Sequence, residues 1–161
     1  MTDHPTPSCR FVVADDSRLC RQILLLHLDR YGFVADSVAS GEAVLEKVSK
    51  NLYSGIFLDL GMSGVSGLDV ARIIRSGDLG PDNADTLLIC VSSEECVHVR
   101  PACRAVGFDW YLQKPVTTVS LRTTLRHCGF IPPIRGELFG RSEWPINVSA
   151  LSERAINRTA D

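Results

Sequence analysis

Five polar side chains in this sequence follow short apolar runs, and their types suit the binding of a metal ion and a phosphoryl group. They are Asp15, Asp16, Asp59, Ser92 and Lys114. Three carboxylates held close together repel one another and need a counter-charge. A hard divalent cation meets that need, and Mg²⁺ fits best because it takes few protein oxygens and keeps several waters. A hydroxyl and a lysine beside the metal supply the hydrogen bond and the second positive charge that phosphoryl transfer requires.

The apolar runs that precede these residues alternate with stretches of helical periodicity. We predict strands over 11–14, 33–38, 55–58, 87–91 and 110–113, and helices over 19–31, 42–50, 68–74, 94–105 and 118–128. This alternation is typical of a parallel sheet covered by helices on both faces, that is, an α/β, doubly wound fold with five parallel strands. Ligands of such sheets bind at the carboxyl ends of the strands, so the five polar residues are expected to share one edge.

Length and composition limit the classes of function. The chain has 161 residues, which suits one domain with a short appendage. Apolar residues make up 45% and charged residues 22%, and 17 basic against 19 acidic residues give a net charge of −2. No block of like charge points to nucleic acid or a membrane surface, and neither a signal peptide nor a membrane-spanning run is recognisable. We therefore expect a cytoplasmic protein that binds neither nucleic acid nor membrane.

The six cysteines show no metal-binding or disulfide pattern. They are scattered without any C-x-x-C pair, and most lie in apolar or helical patterns, at Cys9, Cys20, Cys90, Cys96, Cys103 and Cys128. We expect buried, reduced thiols.

From about residue 9 to residue 128 the chain resembles the receiver domain of two-component response regulators. In that family an acidic pair follows the first strand, the phosphoacceptor aspartate ends the third, a Ser or Thr ends the fourth, and a Lys-Pro pair ends the fifth. An aromatic switch residue lies three positions before the lysine. The matching residues here are Asp15-Asp16, Asp59, Ser92, Lys114-Pro115 and Tyr111. The resemblance implies a flavodoxin-like sheet with strand order 2-1-3-4-5.

The resemblance also implies a metal site and a phosphoacceptor. Asp59 would accept a phosphoryl group from a phosphohistidine. Asp16, Asp59 and the backbone carbonyl of Gly61 would hold Mg²⁺, with Asp15 acting through a water. Lys114 would pair with Asp59 and then with the phosphoryl oxygens.

Two further expectations concern how phosphorylation would be sensed. Ser92 would donate its hydroxyl to the phosphoryl group, and Tyr111 would then rotate inward and change the face formed by the fourth helix, the fifth strand and the fifth helix. The alternative for Tyr111 is a core aromatic whose hydroxyl is satisfied. The peptide bond between Lys114 and Pro115 is expected to be cis.

The same resemblance sets the expected function. We expect a stand-alone receiver, not an enzyme, with a flexible N-terminus at 1–8, a receiver domain at 9–128 and a tail at 129–161. Its partners would be a sensor histidine kinase or a histidine phosphotransfer protein and a downstream protein target, and a homodimer could form through the fourth helix, fifth strand and fifth helix. One alternative is a pseudo-receiver that docks a partner without phosphorylation. Another is an aspartate-based phosphatase, but Gly61 occupies the position of its acid/base aspartate.

The tail has two open interpretations. Val148, Leu151, Ala155 and Ile156 lie roughly on one face of a short helix, which would pack on the fifth helix or on a partner. The other interpretation is a disordered extension.

Three departures from the family pattern bear on the site. Met62 is followed by Ser63 where proline is common, and glycines at 61, 64 and 67 suggest a looser loop. Ser93 occupies a position where a small alanine is usual. Pro101 lies inside the fourth predicted helix and is expected to kink it or unravel its first turns.

Overall fold

The computed structural model describes residues 9–132, which form one sheet with helices on both faces. The strands are β1 (Arg10–Ala14), β2 (Val34–Val38), β3 (Gly55–Asp59), β4 (Leu87–Ser92) and β5 (Trp110–Gln113). The helices are α1 (Arg18–Asp29), α2 (Gly41–Lys50), α3 (Gly67–Ser76), α4 (Pro81–Ala84), α5 (Cys96–Val106) and α6 (Thr118–His127). The predicted N-terminus at 1–8 and the predicted helix at 148–156 lie outside the described residues.

The sheet has the predicted topology. Its order is β2-β1-β3-β4-β5, and every neighbouring pair is parallel. In register, Asp59 lies beside Val91, and Ser92 lies beside Gln113. All five strands therefore end at the same edge, which confirms the α/β, doubly wound, flavodoxin-like fold.

Two apolar layers hold the helices on the sheet. One layer joins α2, α3 and α5 to one face through residues such as Val44, Ile74 and Cys103. The other joins α1 and α6 to the opposite face through Leu28 and Leu121, among others. Burial of these side chains, each removing apolar surface from water, supplies most of the stability of the fold.

Side-chain caps fix where several helices begin. Ser17, Ser40, Ser66 and Thr117 each accept a hydrogen bond from the backbone amide three residues later. Such caps satisfy amides that have no partner inside the helix. Because α1, α2, α3 and α6 all start after the carboxyl end of a strand, these caps also position the loops at that edge.

The helices differ from the prediction in two places. The turn predicted at 77–81 continues into α4, a single helical turn with Pro81 at its first position, so the helices predicted as fourth and fifth are α5 and α6. The fourth predicted helix starts at Cys96, two residues later than expected, and then runs unbroken through Pro101 to Val106. Pro101 therefore does not unravel the helix, although it leaves one carbonyl of the preceding turn without its amide partner.

Arg75 fastens the amino ends of β4 and β5. Its guanidinium donates to the carbonyls of Ala84, Thr86 and Gly107 at 2.6, 2.7 and 2.9 Å. It also pairs with the Asp109 carboxylate at 2.7 Å, and this carboxylate accepts the backbone amide of Leu88. One side chain of α3 thus joins α4, the start of β4 and the loop before β5.

The packed core continues beyond α6. The Phe130 ring lies 4.8 Å from the Phe11 ring, centroid to centroid, and Ile131 also packs against the apolar layer that contains α1 and α6. The core therefore includes residues that the sequence assigned to the tail.

All six cysteines are free thiols, and Cys90, Cys103 and Cys128 are buried. The expected burial therefore holds for these three, whereas Cys9, Cys20 and Cys96 are only half-buried. Between residues 9 and 132, no helix is both long enough and apolar enough to cross a bilayer.

Candidate functional site

Three carboxylates meet at the carboxyl edge of the sheet, where β1 and β3 lie side by side. Asp59 is the last residue of β3, and Asp15 and Asp16 follow β1 directly. One oxygen from each of the three lies within 4.8 Å of the others. The parallel pairing of β1 with β3 creates this proximity, because it places Ala14 beside Leu58.

The burial and chemistry of this cluster fit Mg²⁺. Asp15 and Asp59 are only 4% and 7% exposed, whereas Asp16 is open to solvent. Oxygen donors are the ligands that Mg²⁺ prefers, and an open side suits an ion that keeps several waters. The cluster fits the ion that the sequence predicted.

Lys114 already supplies one counter-charge to the cluster. Its Nζ lies 2.6 Å from Asp15 Oδ2 and 3.5 Å from Asp59 Oδ1. The contact with Asp59 was predicted, but the shorter contact is with Asp15, a pairing that the sequence did not indicate. Burial acts to lower the pKa of Lys114, but the neighbouring carboxylates outweigh it and hold the pKa above its ordinary value.

The environment of Asp59 disfavours its ionised form. Burial raises the pKa of this carboxyl above its usual range, and the Asp15 carboxylate adds to the rise. The Gly61 amide, 3.2 Å from Asp59 Oδ1, and the Lys114 ammonium act in the opposite direction but only in part. Both contacts fall on Oδ1, which leaves Oδ2 available to a ligand.

Ser92 and Tyr111 are linked by the backbone after β4. Ser92 is buried, and its hydroxyl accepts the amide of Glu94 at 3.1 Å. The Tyr111 hydroxyl donates to the carbonyl of Glu94, and burial raises the pKa of Tyr111 to about 12. This tyrosine is half-buried and hydrogen-bonded, as a core aromatic would be, and it also holds the segment that carries Ser92. Its role as a switch stays a prediction.

The cis bond expected between Lys114 and Pro115 is present. The backbone amide of Lys114 donates to the carbonyl of Ser92 at 2.8 Å, so β4 and β5 remain paired up to the site.

The loop from β3 to α3 is closely packed, not loose as its glycines suggested. A Cβ at Gly67 would lie 2.3 Å from the Asp59 carbonyl oxygen, and one at Gly41 would lie 2.3 Å from the Val65 carbonyl oxygen. The Glu42 carboxylate also accepts the Val65 amide at 3.3 Å. These glycines allow close approach of backbones, and α2 thereby supports the loop that follows the phosphoacceptor candidate.

Arg21 is a residue of this edge that sequence reasoning missed. Its guanidinium donates to the carbonyls of Asp15 and Asp16 at 2.7 and 3.3 Å and to the Ser37 hydroxyl at 3.1 Å. It thus holds the backbone of the acidic pair. One feature of the sequence could have identified it. The start of α1 carries arginine and no acidic residue, although the helix dipole favours acidic side chains there.

A family model and several relatives match this chain. The model for the response regulator receiver domain matches residues 11–126. The virulence sensor protein BvgS of Bordetella pertussis is 32% identical over 123 residues, which cover 75% of this chain and 10% of BvgS. The sensory/regulatory protein RpfC of Xanthomonas campestris pv. campestris is 30% identical over 118 residues, covering 73% of this chain and 16% of RpfC. The chain therefore spans only a small part of these curated relatives.

Solved structures share the fold. The chemotaxis protein CheY4 of Vibrio cholerae superposes with a TM-score of 0.68 at 24% identity, over 74% of this chain and 97% of CheY4. The receiver domain of the sensor histidine kinase PA1611 of Pseudomonas aeruginosa gives a TM-score of 0.67 at 19% identity, over 74% of this chain and 95% of that domain. The PA1611 structure has a magnesium ion coordinated in its active-site cleft.

Proposed function

The chain belongs to the response regulator receiver domain family, the phosphoacceptors of two-component signalling, and we propose that Asp59 is its phosphoacceptor. The carboxylate cluster at the edge of the sheet, with Asp59 buried beside Lys114, is the observation that carries this proposal. We further propose a phosphohistidine of a sensor histidine kinase or a histidine phosphotransfer protein as the donor.

The proposed step is a transfer of the phosphoryl group between two side chains. An oxygen of the Asp59 carboxylate attacks phosphorus, a P–O bond forms, and the P–N bond of the phosphohistidine breaks. The released imidazole nitrogen takes a proton from water, and Asp59 becomes an acyl phosphate. Since both described contacts of the carboxylate fall on Oδ1, we assign Oδ2 as the attacking atom.

Metal binding falls to the acidic cluster. Asp15, Asp16 and Asp59, with the backbone carbonyl of Gly61, are the proposed ligands of Mg²⁺. Bound there, the ion would neutralise the carboxylates and the oxygens of the phosphoryl group. Arg21 positions the Asp15-Asp16 backbone for this role.

Lys114 and Ser92 complete the proposed site. The Lys114 ammonium lies 3.5 Å from Asp59 Oδ1, so it can reach the oxygens of a phosphoryl group attached to that carboxylate. Ser92 would exchange its hydrogen bond with the Glu94 amide for one to the phosphoryl group. That exchange would move the segment held by the Tyr111 hydroxyl, which is the basis for proposing Tyr111 as the switch residue.

The wider role is proposed on the same basis. Residues 9–128, with Phe130 and Ile131 packed against them, would form the receiver unit between the flanks 1–8 and 129–161. We propose a cytoplasmic receiver that signals by phosphorylation-dependent binding to a target or within a phosphorelay, and that undergoes phosphotransfer and autodephosphorylation. The α5-β5-α6 face is the proposed surface for a homodimer.

Intact-mass spectrometry tests the phosphoacceptor directly. The full chain is incubated with acetyl phosphate and Mg²⁺, and a single phosphoryl adduct is expected. Asp59→Asn should give no adduct, and removal of Mg²⁺ with a chelator should suppress it in the wild type.

A pair of lysine variants separates the site from general charge effects. Lys114→Met should slow formation of the adduct, whereas Lys50→Met should not, because Lys50 pairs with Glu46 on the surface of α2. A folded wild type that never acquires the adduct would contradict the proposal and favour a pseudo-receiver that docks without phosphorylation.

A further inference from the structure

An apolar groove opens next to the acidic cluster, between α1 and the segment that joins β5 to α6. It encloses about 350 Å³, and its walls include Leu19, Ile23 and Val116. Asp15 and Lys114 lie at its rim, so anything that fills the groove borders the proposed phosphorylation site.

The groove continues onto an exposed stripe of α1. Leu19, Ile23 and Leu26 are 66%, 38% and 56% exposed, although their spacing places them along one side of the helix. Helix faces that point to solvent normally carry polar residues, and contiguous exposed apolar surface marks an interaction site. His27, on the same helix, meets Thr118, so the start of α6 lies beside α1.

The described chain ends on the same face of the sheet as this groove. Phe130 and Ile131 pack into the apolar layer of α1 and α6, near the start of β1. The groove lies beyond the end of β1, and a five-residue strand is about 16 Å long. Residues 133–147 lie between this point and the apolar segment at 148–156, and extended chain covers about 3.3 Å per residue, so their reach exceeds that distance.

The two segments outside the described residues differ in composition. Residues 1–8 are polar apart from Met1 and two prolines. The C-terminal segment instead repeats apolar residues at helical spacing, at Val148, Leu151, Ala155 and Ile156. Such spacing produces an apolar helix face that needs an apolar partner.

We propose that the chain's own segment 148–156 docks in the α1 groove, with Leu151 and its apolar neighbours directed into it. This docking does not depend on the proposed function of Asp59.

Cys20 provides a direct readout, because it lines the groove and is half-buried. The full chain is alkylated with iodoacetamide, and the rate at Cys20 is followed by peptide mass spectrometry. Leu151→Asp should raise this rate roughly tenfold, since it removes the burial of one large aliphatic side chain. Ala150→Asp adds the same charge on the opposite side of the helical pattern and should leave the rate unchanged.

Two internal controls make the result decisive. Cys96 is half-buried on α5, across the sheet from the groove, and its alkylation rate should not differ between variants. Thermal unfolding of Leu151→Asp checks that the receiver unit still folds.

Equal Cys20 rates in the wild type and both variants would overturn the docking proposal. Cys20 protection that rises with protein concentration and ignores Leu151→Asp would also overturn it, since a second copy would then cover the groove. The assay contains no phosphodonor, so failure to phosphorylate Asp59 cannot be mistaken for failure of docking.

Discussion

Gly67 is the first residue of α3, and alanine at this position would place a methyl group 2.3 Å from the carbonyl oxygen of Asp59. The same methyl carbon would lie 2.9 Å from Leu60 Cα and 3.0 Å from the Asp59 carbonyl carbon. All three neighbours are backbone atoms, so no side chain can rotate away. Ordinary contact requires about 3.4 Å, so the end of β3 and the start of α3 must separate by roughly 1 Å.

Gly67→Ala should therefore impair both stability and phosphorylation. Overpacking of this kind lowers the unfolding free energy by about 1–3 kcal/mol. The higher helix propensity of alanine offsets up to about 1 kcal/mol of that loss. A displacement of about 1 Å at the reacting carboxylate slows phosphorylation on the order of 100-fold. The Asp59 carboxylate has little freedom to move, because its Oδ1 is held by the Gly61 amide at 3.2 Å and by Lys114 at 3.5 Å.

Gly61→Ala is the matched control in the same loop. A Cβ at Gly61 would lie 3.9 Å from both Asp59 carboxylate oxygens, which is an ordinary contact, and its φ is not positive. Urea unfolding and the rate of adduct formation from acetyl phosphate are measured for both variants. If Gly67→Ala and Gly61→Ala both match the wild type, the close approach at Gly67 does not constrain Asp59 and the reasoning is refuted.

Four other substitutions have defined outcomes. Burial raises the pKa of Asp59, so the stability that this carboxyl contributes is present below its unfolded pKa and is lost as the pH rises through its folded pKa. The difference in melting temperature between Asp59→Asn and the wild type, measured without divalent metal, should accordingly shift in favour of Asp59→Asn as the pH rises above 3.8, the ordinary pKa of this carboxyl. A difference that stays constant with pH would contradict this. Arg75→Met should lower the unfolding free energy in urea by about 3–5 kcal/mol because it removes the ion-pair partner of the half-buried Asp109 carboxylate. Arg72→Met, which breaks an exposed pair on the same helix, should cost less than about 1 kcal/mol, and equal losses would refute the distinction. Tyr111→Phe should cost about 1 kcal/mol through its lost hydrogen bond to the backbone after β4. Its rate with acetyl phosphate should stay within about twofold of the wild type, and a larger drop would give the hydroxyl a part in the transfer itself.

The sequence predicted the layout of the site because a parallel sheet gathers the ends of its strands at one edge. Asp15, Asp59, Ser92 and Lys114 each follow an apolar run, and this pattern is local and easy to recognise. Once these runs are assigned to parallel strands, the carboxylate cluster at the edge of the sheet follows from the topology. The strand order and the cis bond before Pro115 came from the family resemblance.

The sequence could not predict features that depend on contacts between distant residues. α4 has four residues, too few for a helical periodicity, although Pro81 at its first position was a hint. The close approach of Gly67 to Asp59 and the preference of Lys114 for Asp15 depend on distances that emerge only when the loops are folded. The role of Arg75 could not be recognised from the sequence, because its partners lie 9 to 34 residues further along the chain.

The Arg75 cluster has a mechanical consequence for the whole sheet. It ties the segments before β4 and β5, while Ser92 and Lys114 lie at the opposite ends of these two strands. Segments with many internal hydrogen bonds open at a higher free energy than loops. The amino ends of β4 and β5 are therefore held together by one side chain. These clamped ends provide a fixed frame against which labels near Ser92 and Lys114 can measure a displacement at the opposite edge of the sheet.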